Sequence, residues 1–232
     1  SEARFDGDRL IVSCGRFAPS TYLVKLRPSD IRLDAPSSLP VELPCNDYAF
    51  TADAFNRQGN LDGKGNSYAA ELLPEEIVSE GVAFKVSADV EHRNVVKCDG
   101  QRIALPQGGY DRVYLLAASL DGDRDTEFTV DGKPFRRTVP YYSGFFGQWG
   151  HDGEEGYVKD GDLAYVGTHR HSAERGNDPY VFTYMYKICL PVGAGAKELV
   201  LPEDRNVAVF AVTVSDNPND CLSPLNEIRA LP

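Results

Sequence analysis

The sequence predicts an all-β protein, an antiparallel β-sandwich of the jelly-roll or galactose-binding type with very little helix. Short runs of alternating apolar and polar residues, or of β-branched residues, recur along the 232-residue chain. Asp-Gly pairs and other turn signals separate these runs. No window keeps apolar residues at the i, i+3, i+4, i+7 spacing of an amphipathic helix for four turns. Many short strands with turns at this spacing are typical of a sandwich.

The strands follow from these runs in chain order. They are predicted at residues 10–12, 22–26, 82–86, 94–97, 102–105, 112–118, 127–130, 135–139, 163–169, 180–190, 198–201 and 207–214. Turns are predicted at Asp99-Gly100, Asp121-Gly122, Asp131-Gly132 and residues 191–193. One helical turn is expected over residues 71–78, where Pro74 limits its length.

Two of these strands indicate the core. Residues 206–214 read NVAVFAVTV and are apolar on both faces, which predicts a central strand covered on both sides. Tyr180, Phe182, Tyr184 and Tyr186 alternate along one strand and therefore share a face. This aromatic stripe is either core, the commoner case, or a binding platform.

Residues 28–44 carry four prolines without periodicity and are predicted to be a linker. We therefore expect residues 1–35 to hold the final strands of a preceding β-domain plus this linker, and residues 36–232 to form a C-terminal β-sandwich domain. The chain begins with Ser1, and Met185 is its only methionine, so we expect it to be part of a larger protein.

Charge and cysteine content restrict the partners and the compartment. The net charge of −11 disfavours nucleic acid and anionic membranes as partners. No segment is long and apolar enough for a transmembrane helix. The five cysteines are dispersed and include no C-x-x-C pair, so most are expected to be reduced. The bacterial cytoplasm or periplasm is expected, with the cytoplasm favoured.

Several motifs of known chemistry are excluded. Residues 121–125 carry alternate carboxylates, but the glycine and the glutamate of an EF-hand are missing, so an exposed hairpin turn is expected. The sequence contains no G-x-G-x-x-G, G-x-S-x-G, H-E-x-x-H or Walker motif. No catalytic residue is assigned.

The densest polar cluster follows the strand at 163–169. His169 and His171 are two residues apart on a strand, so they share a face and can bind zinc or contact one ligand. A third zinc ligand is not obvious, because His151 and Asp152 qualify only if the fold brings them close; no metal ligand is assigned. In the alternative interpretation, one histidine is hydrogen-bonded under the loop and the other is solvated. The predicted carbohydrate-binding residues are Trp149, His169, Arg170, His171, Asn177 and Asp178.

Trp149 closes a glycine-spaced aromatic segment, YYSGFFGQWG. Aromatic rings stack on the apolar face of a pyranose, so Tyr141, Tyr142 and Trp149 are candidates for a sugar platform. The alternative is a hydrophobic lid over the end of the sandwich.

Several segments in a fixed order resemble the C-terminal β-region of bacterial α-mannosidases in glycoside hydrolase family 38. The most specific are GQ-x-I-x-LP before a YLLAAS strand, SGF-x-G-x-W, and HRH before N-x-PY, and the resemblance covers nearly the whole chain. Tyr141-Tyr142 depart from the family pattern, in which an aspartate-tryptophan pair is usual, and the acidic-arginine ending expected after Trp149 is missing.

The resemblance implies a retaining exo-α-mannosidase as the parent protein, with zinc and catalytic aspartates in an upstream α/β domain. This chain would then be a non-catalytic accessory domain that shapes the mannoside site and contacts carbohydrate weakly. It would hold no cofactor, and its partners would be the mannoside and the upstream catalytic domain. The alternative is an independent carbohydrate-binding or protein-interaction module without a catalytic partner.

Overall fold

The computed structural model describes residues 2–6, 9–13, 37–148, 156–159 and 161–217. The chain divides into two compact units, residues 1–33 and 34–232. In the first unit, β1 (Glu2–Asp6) and β2 (Arg9–Ser13) form an antiparallel hairpin. The predicted strand at 22–26 lies outside the described residues. That the first unit belongs to a preceding β-domain stays a prediction.

The regular secondary structure in the described part of the second unit is almost entirely β-strand, which confirms the predicted fold class. Its strands are β3 (Leu39–Val41), β4 (Phe50–Thr51), β5 (Asn66–Ala69), β6 (Ile77–Ser79), β7 (Val82–Phe84), β8 (Val96–Lys97), β9 (Arg102–Ala104), β10 (Arg112–Ser119), β11 (Arg124–Val130), β12 (Lys133–Val139), β13 (Gly147–Gln148), β14 (Tyr157–Val158), β15 (Asp162–Ser172), β16 (Gly176–Pro191), β17 (Glu198–Val200) and β18 (Val207–Ser215). Two 3₁₀ turns, Asp53–Phe55 and Ala70–Leu72, are the helical elements among the described residues. No helix there is long and apolar enough to cross a membrane.

The largest sheet has the strand order β3-β18-β10-β16-β15-β5-β4, and β8 also pairs with β18. All of its pairs are antiparallel except β4 with β5. A second sheet, with the order β12-β11-β17-β9, forms the other layer of the sandwich. Two further pairs, β13-β14 and β6-β7, are short ribbons.

β18 lies inside the large sheet, second in the strand order, and is buried along its whole length, as its two-sided apolar pattern predicted. Val209 belongs to the hydrophobic cluster that contains Phe128 of the second sheet. Phe210, the next residue, belongs to a different cluster that contains Phe84 of the β6-β7 ribbon. The large sheet therefore buries both faces at β18, because the second sheet covers one and the ribbon covers the other.

The helical turn expected over 71–78 is wrong in extent. Only Ala70–Leu72 forms a turn, and β6 begins at Ile77. Pro74 lacks a backbone N–H and cannot continue a helix, so the chain becomes extended after it. β6 and β7 are then joined by Glu80 and Gly81, which both have positive φ (49° and 82°), as a two-residue hairpin turn requires.

The aromatic stripe of β16 is core over most of its length. Tyr184 and Tyr186 are buried, and their hydroxyls donate to the carbonyls of Gly144 (2.9 Å) and Tyr141 (3.2 Å). Phe182 is partly buried against the same cluster. Tyr180, at the start of the stripe, is instead 83% exposed.

Candidate functional site

Five of the six predicted site residues lie on the hairpin formed by β15 and β16. The strand register places Arg170 opposite Asp178 and His171 opposite Asn177. Paired residues share a face and neighbours along a strand alternate, so these two pairs point to opposite sides of the sheet. The structure therefore divides the predicted cluster into two groups. Trp149, the sixth residue, lies outside the described residues.

The first group is an ion pair between the buried Asp178 carboxylate and the partly buried Arg170 side chain. Nε and Nη2 of Arg170 donate to one carboxylate oxygen of Asp178, at 3.2 and 2.9 Å. Asp178 is only 3% exposed, and its second oxygen lies 3.3 Å from Nη1 of Arg175. Both carboxylate oxygens of the buried Asp178 thus have a guanidinium partner within the hairpin, which indicates that the pair stabilises the hairpin.

The second group centres on His171, which is completely buried. Nδ1 of His171 lies 2.8 Å from the Thr51 hydroxyl, and Nε2 lies 3.0 Å from Oε1 of Glu71. The same Oε1 lies 3.3 Å from Nε2 of His169, and the two imidazole rings are 5.5 Å apart. The prediction that His169 and His171 share a face is confirmed. His151 and Asp152, the other candidates considered, lie outside the described residues.

Glu71 was not predicted as a site residue. β5 pairs with β15 and ends at Ala69, and the 3₁₀ turn Ala70–Leu72 follows at once, so Glu71 stands beside the histidine-bearing strand. The side chains are 36% exposed for Glu71 and 19% for His169. The cluster therefore reaches from the protein interior to solvent.

Asn177 links the hairpin to the other 3₁₀ turn. Its Nδ2 donates to Oδ1 of Asp53 (2.9 Å), and its Oδ1 accepts from Nδ2 of Asn56 (2.8 Å). Asn177 is itself exposed. Phe55, between these two partners in the chain, is exposed as well. An aromatic ring thus lies on the surface next to a set of amide and carboxylate groups.

Tyr180 stands at an irregularity of the β15-β16 pairing. The register passes from His169↔Pro179 to Gly167↔Thr183, so β16 contains extra residues here. Tyr180 has φ 64°, a left-handed conformation that residues other than glycine, asparagine and aspartate rarely adopt. Bulges of this kind redirect a side chain away from the regular alternation of the strand. This bulge leaves the Tyr180 ring in solvent.

The aromatic segment after Pro140 folds as a lid over the buried stripe of β16. Tyr142 is completely buried, and its hydroxyl donates to Oδ2 of Asp62 (2.9 Å). Burial raises the pKa of Tyr142, and the nearby Asp62 carboxylate raises it further. Phe146 packs against Tyr184 with ring centroids 5.9 Å apart. For this part of the segment, the lid interpretation is correct and Tyr142 is not a sugar platform.

An open depression on the second sheet is lined by none of the predicted site residues. Among its lining residues, Arg136 Nε lies 3.4 Å from Glu127, and the Thr138 hydroxyl donates to Asp125 (2.6 Å). None of the predicted site residues lies in this depression, so the β15-β16 hairpin is taken as the candidate site.

Comparison with known proteins adds a family assignment. The family described as the AziU2-like beta-sandwich domain matches residues 37–218. No curated protein matches the chain. The resemblance to α-mannosidases therefore stays a hypothesis.

Proposed function

Because the chain belongs to the family of AziU2-like beta-sandwich domains, we propose that it is a non-catalytic sandwich domain that contacts carbohydrate. The contact surface is formed by Phe55, His169, Asn177 and Tyr180, which we call the Tyr180 surface. The sequence resemblance supplies the sugar class, a mannoside, and the setting, an accessory domain beside a glycosidase catalytic domain in a longer protein.

The observation that carries the proposal is the exposure of Tyr180. A left-handed backbone costs a residue with a side chain about 1 to 2 kcal/mol. Here the chain accepts this conformation at φ 64° and still leaves the ring 83% exposed. Packing does not explain such a placement, whereas a ligand that stacks on the ring does, since tyrosine rings bind the apolar face of a pyranose.

Polar groups beside the ring support the same function. Asn177 is exposed, and its carboxamide keeps donor and acceptor capacity beyond its bonds to Asn56 and Asp53. His169 is partly exposed and lies opposite Pro179, the residue before Tyr180. Of the predicted binding residues, His169 and Asn177 would contact the sugar directly. Arg170, His171 and Asp178 would hold the hairpin in place beneath them.

The test is a titration of the chain with methyl α-mannoside, followed by nuclear magnetic resonance. We expect weak binding, with a Kd of about 1 mM, or about −4 kcal/mol. Tyr180→Ala should weaken it about fivefold, since stacking contributes on the order of 1 kcal/mol. Tyr48→Ala, which also truncates an exposed tyrosine, is the matched control and should not change the affinity. Shifts confined to other residues, or none with any glycoside, would reject the Tyr180 surface.

We further propose that this chain alone does not hydrolyse glycosides. The resemblance assigns the catalytic aspartates to a domain upstream of it. Purified chain should therefore leave an aryl α-mannoside intact. Turnover that is abolished by Glu71→Gln would contradict the non-catalytic assignment, because the cluster of Glu71, His169 and His171 would then hold the reacting groups.

A further inference from the structure

We propose that Glu71, His169 and His171 form a zinc site with one coordination position open to solvent. This inference goes beyond carbohydrate binding and does not depend on it. It rests on the arrangement of three potential ligand atoms from two separate parts of the chain.

The three ligand atoms lie close enough together to surround one zinc ion. One ligand atom from each lies within 4.8 Å of the others. In a tetrahedral site with bonds of about 2.0 to 2.2 Å, neighbouring ligand atoms are about 3.3 to 3.5 Å apart. Glu71 Oε1 lies 3.3 Å from His169 Nε2 and 3.0 Å from His171 Nε2. Small side-chain rotations would therefore suffice to admit the ion.

Two imidazoles and one carboxylate are a ligand set that zinc binds while keeping its fourth position for water or another ligand. The partial exposure of Glu71 and His169 gives the ion a path from solvent, and the buried His171 closes the site on the inner side. This burial fixes one ligand before the ion arrives.

The surroundings of His171 match those of a metal-bound histidine. Such a ring usually uses its second nitrogen to donate to an oxygen, which fixes its tautomer and orientation. Here Nδ1 lies 2.8 Å from the Thr51 hydroxyl, and Thr51 lies 2.7 Å from the Ser67 hydroxyl. With Nδ1 as the donor, Nε2 is left unprotonated and free to bind the ion.

A buried hydroxyl without a hydrogen-bond partner lies near the cluster and also supports a bound ion or water there. Tyr165 is 7% exposed, and among the described residues its hydroxyl has no hydrogen-bond partner. The hydroxyl reaches to 3.1 Å from where a Cβ of Gly167 would stand, two residues from His169 on the same strand. Burial raises the pKa of Tyr165 to about 12, and the Glu71 carboxylate contributes to this. A buried polar atom without a partner is expected where a bound water or ion completes the site.

The rival explanation is a metal-free cluster, in which both imidazoles donate Nε2–H to the same Glu71 oxygen. Zinc binding decides between the two. The full chain is treated with a chelator, dialysed, and titrated with zinc in competition with a chromophoric chelator. We expect one equivalent of zinc to bind. His169→Gln and Glu71→Gln should each weaken binding by about 100-fold or more, and Thr51→Val by about 10-fold, as for an outer-sphere partner.

His92→Gln is the matched control, because His92 also pairs with a carboxylate, Asp89, at 2.8 Å. It should leave zinc affinity unchanged. In the wild type, ¹⁵N shifts of His169 and His171 should move on zinc addition while those of His92 do not. This measurement holds even if a variant fails to fold.

Cobalt substitution gives an independent readout. Co²⁺ should produce the absorption of a four-coordinate site without a sulfur charge-transfer band. A wild-type chain that binds no zinc, an equal loss of affinity in His92→Gln, or a cobalt-thiolate band would each overturn the proposal. Loss of sugar binding by Tyr180→Ala with zinc binding intact would leave it standing.

Discussion

Replacing Arg170 with alanine distinguishes a structural from a sugar-binding role for the buried pair with Asp178. The substitution leaves the Asp178 carboxylate, which is 3% exposed, with Arg175 as its remaining cationic neighbour. Removing one partner of a buried ion pair costs about 3 to 5 kcal/mol. Arg175 retains one contact at 3.3 Å from a side chain that is 65% exposed, so we expect about 3 kcal/mol, at the low end of the range.

For a domain of this size, about 2 to 4 °C of Tm correspond to each kcal/mol, so Tm should fall by about 6 to 12 °C. Thermal unfolding followed by circular dichroism measures the change. Arg175→Ala is the control and should cost less than about 1 kcal/mol, as for other exposed pairs. If Arg170→Ala lowers mannoside affinity while Tm stays at the wild-type value, the structural assignment is refuted and Arg170 is a binding residue.

Three further predictions concern other parts of the fold. Phe210→Ala should lower the free energy of unfolding, measured in urea, by about 3 to 5 kcal/mol, because the ring fills the core. Truncation of the exposed Phe145 to alanine should change it by less than about 0.5 kcal/mol, and equal losses in the two variants would place β18 at the periphery. Burial raises the pKa of Cys98, so its thiol should react with an aromatic disulfide reagent only after unfolding, and rapid labelling of the native protein would contradict its position. The Lys64 ammonium lowers the pKa of Asp121 below its unfolded value of about 3.9, so this pair stabilises the fold above that pH, and the contribution is lost as pH falls through the folded pKa. Asp121→Asn should therefore make Tm less dependent on pH below about 4, and an unchanged dependence of Tm on pH would show that the pair does not contribute to stability.

The long strands were predictable because burial on one or both faces leaves a periodic pattern. β18 is apolar at almost every position, and this pattern correctly predicted a strand that is covered on both faces. The turn predicted at Asp131-Gly132 is also confirmed, since both residues have positive φ (47° and 80°) in the turn between β11 and β12. The sequence dictates these features locally, so no distant contact was needed to infer them.

Some short strands, including β5, escaped prediction because their stability comes from partners far away in the chain. β5 reads NSYA and shows no apolar alternation, yet all four residues are buried once β15 and β4 pair with it. Glu80 was not expected in a hairpin turn, because glutamate rarely adopts positive φ. In both places tertiary contacts override the local preference.

The candidate site was partly predictable for the same reason. The two-residue spacing of His169 and His171 correctly placed both rings on one face. The same alternation puts Arg170 on the opposite face, so Arg170 does not belong to the same group as the two histidines. Glu71 is 100 residues before His171 in the chain. Only the pairing of β5 with β15 brings it there, and a single sequence carries no signal for that pairing.

The division of the hairpin between two faces also limits what the α-mannosidase resemblance can imply. The HRH and N-x-PY segments are among its most specific parts, and in the structure they supply the Arg170–Asp178 pair and the bulge at Tyr180. A buried ion pair and a bulge are structural requirements that any sandwich domain with such a hairpin can share. Similarity over these residues therefore supports a common hairpin more strongly than a common substrate, because function resides in the exposed groups. The exposed groups are Tyr180, His169 and Asn177, so substitutions at these positions, rather than at Arg170 or Asp178, test whether a mannoside is the ligand.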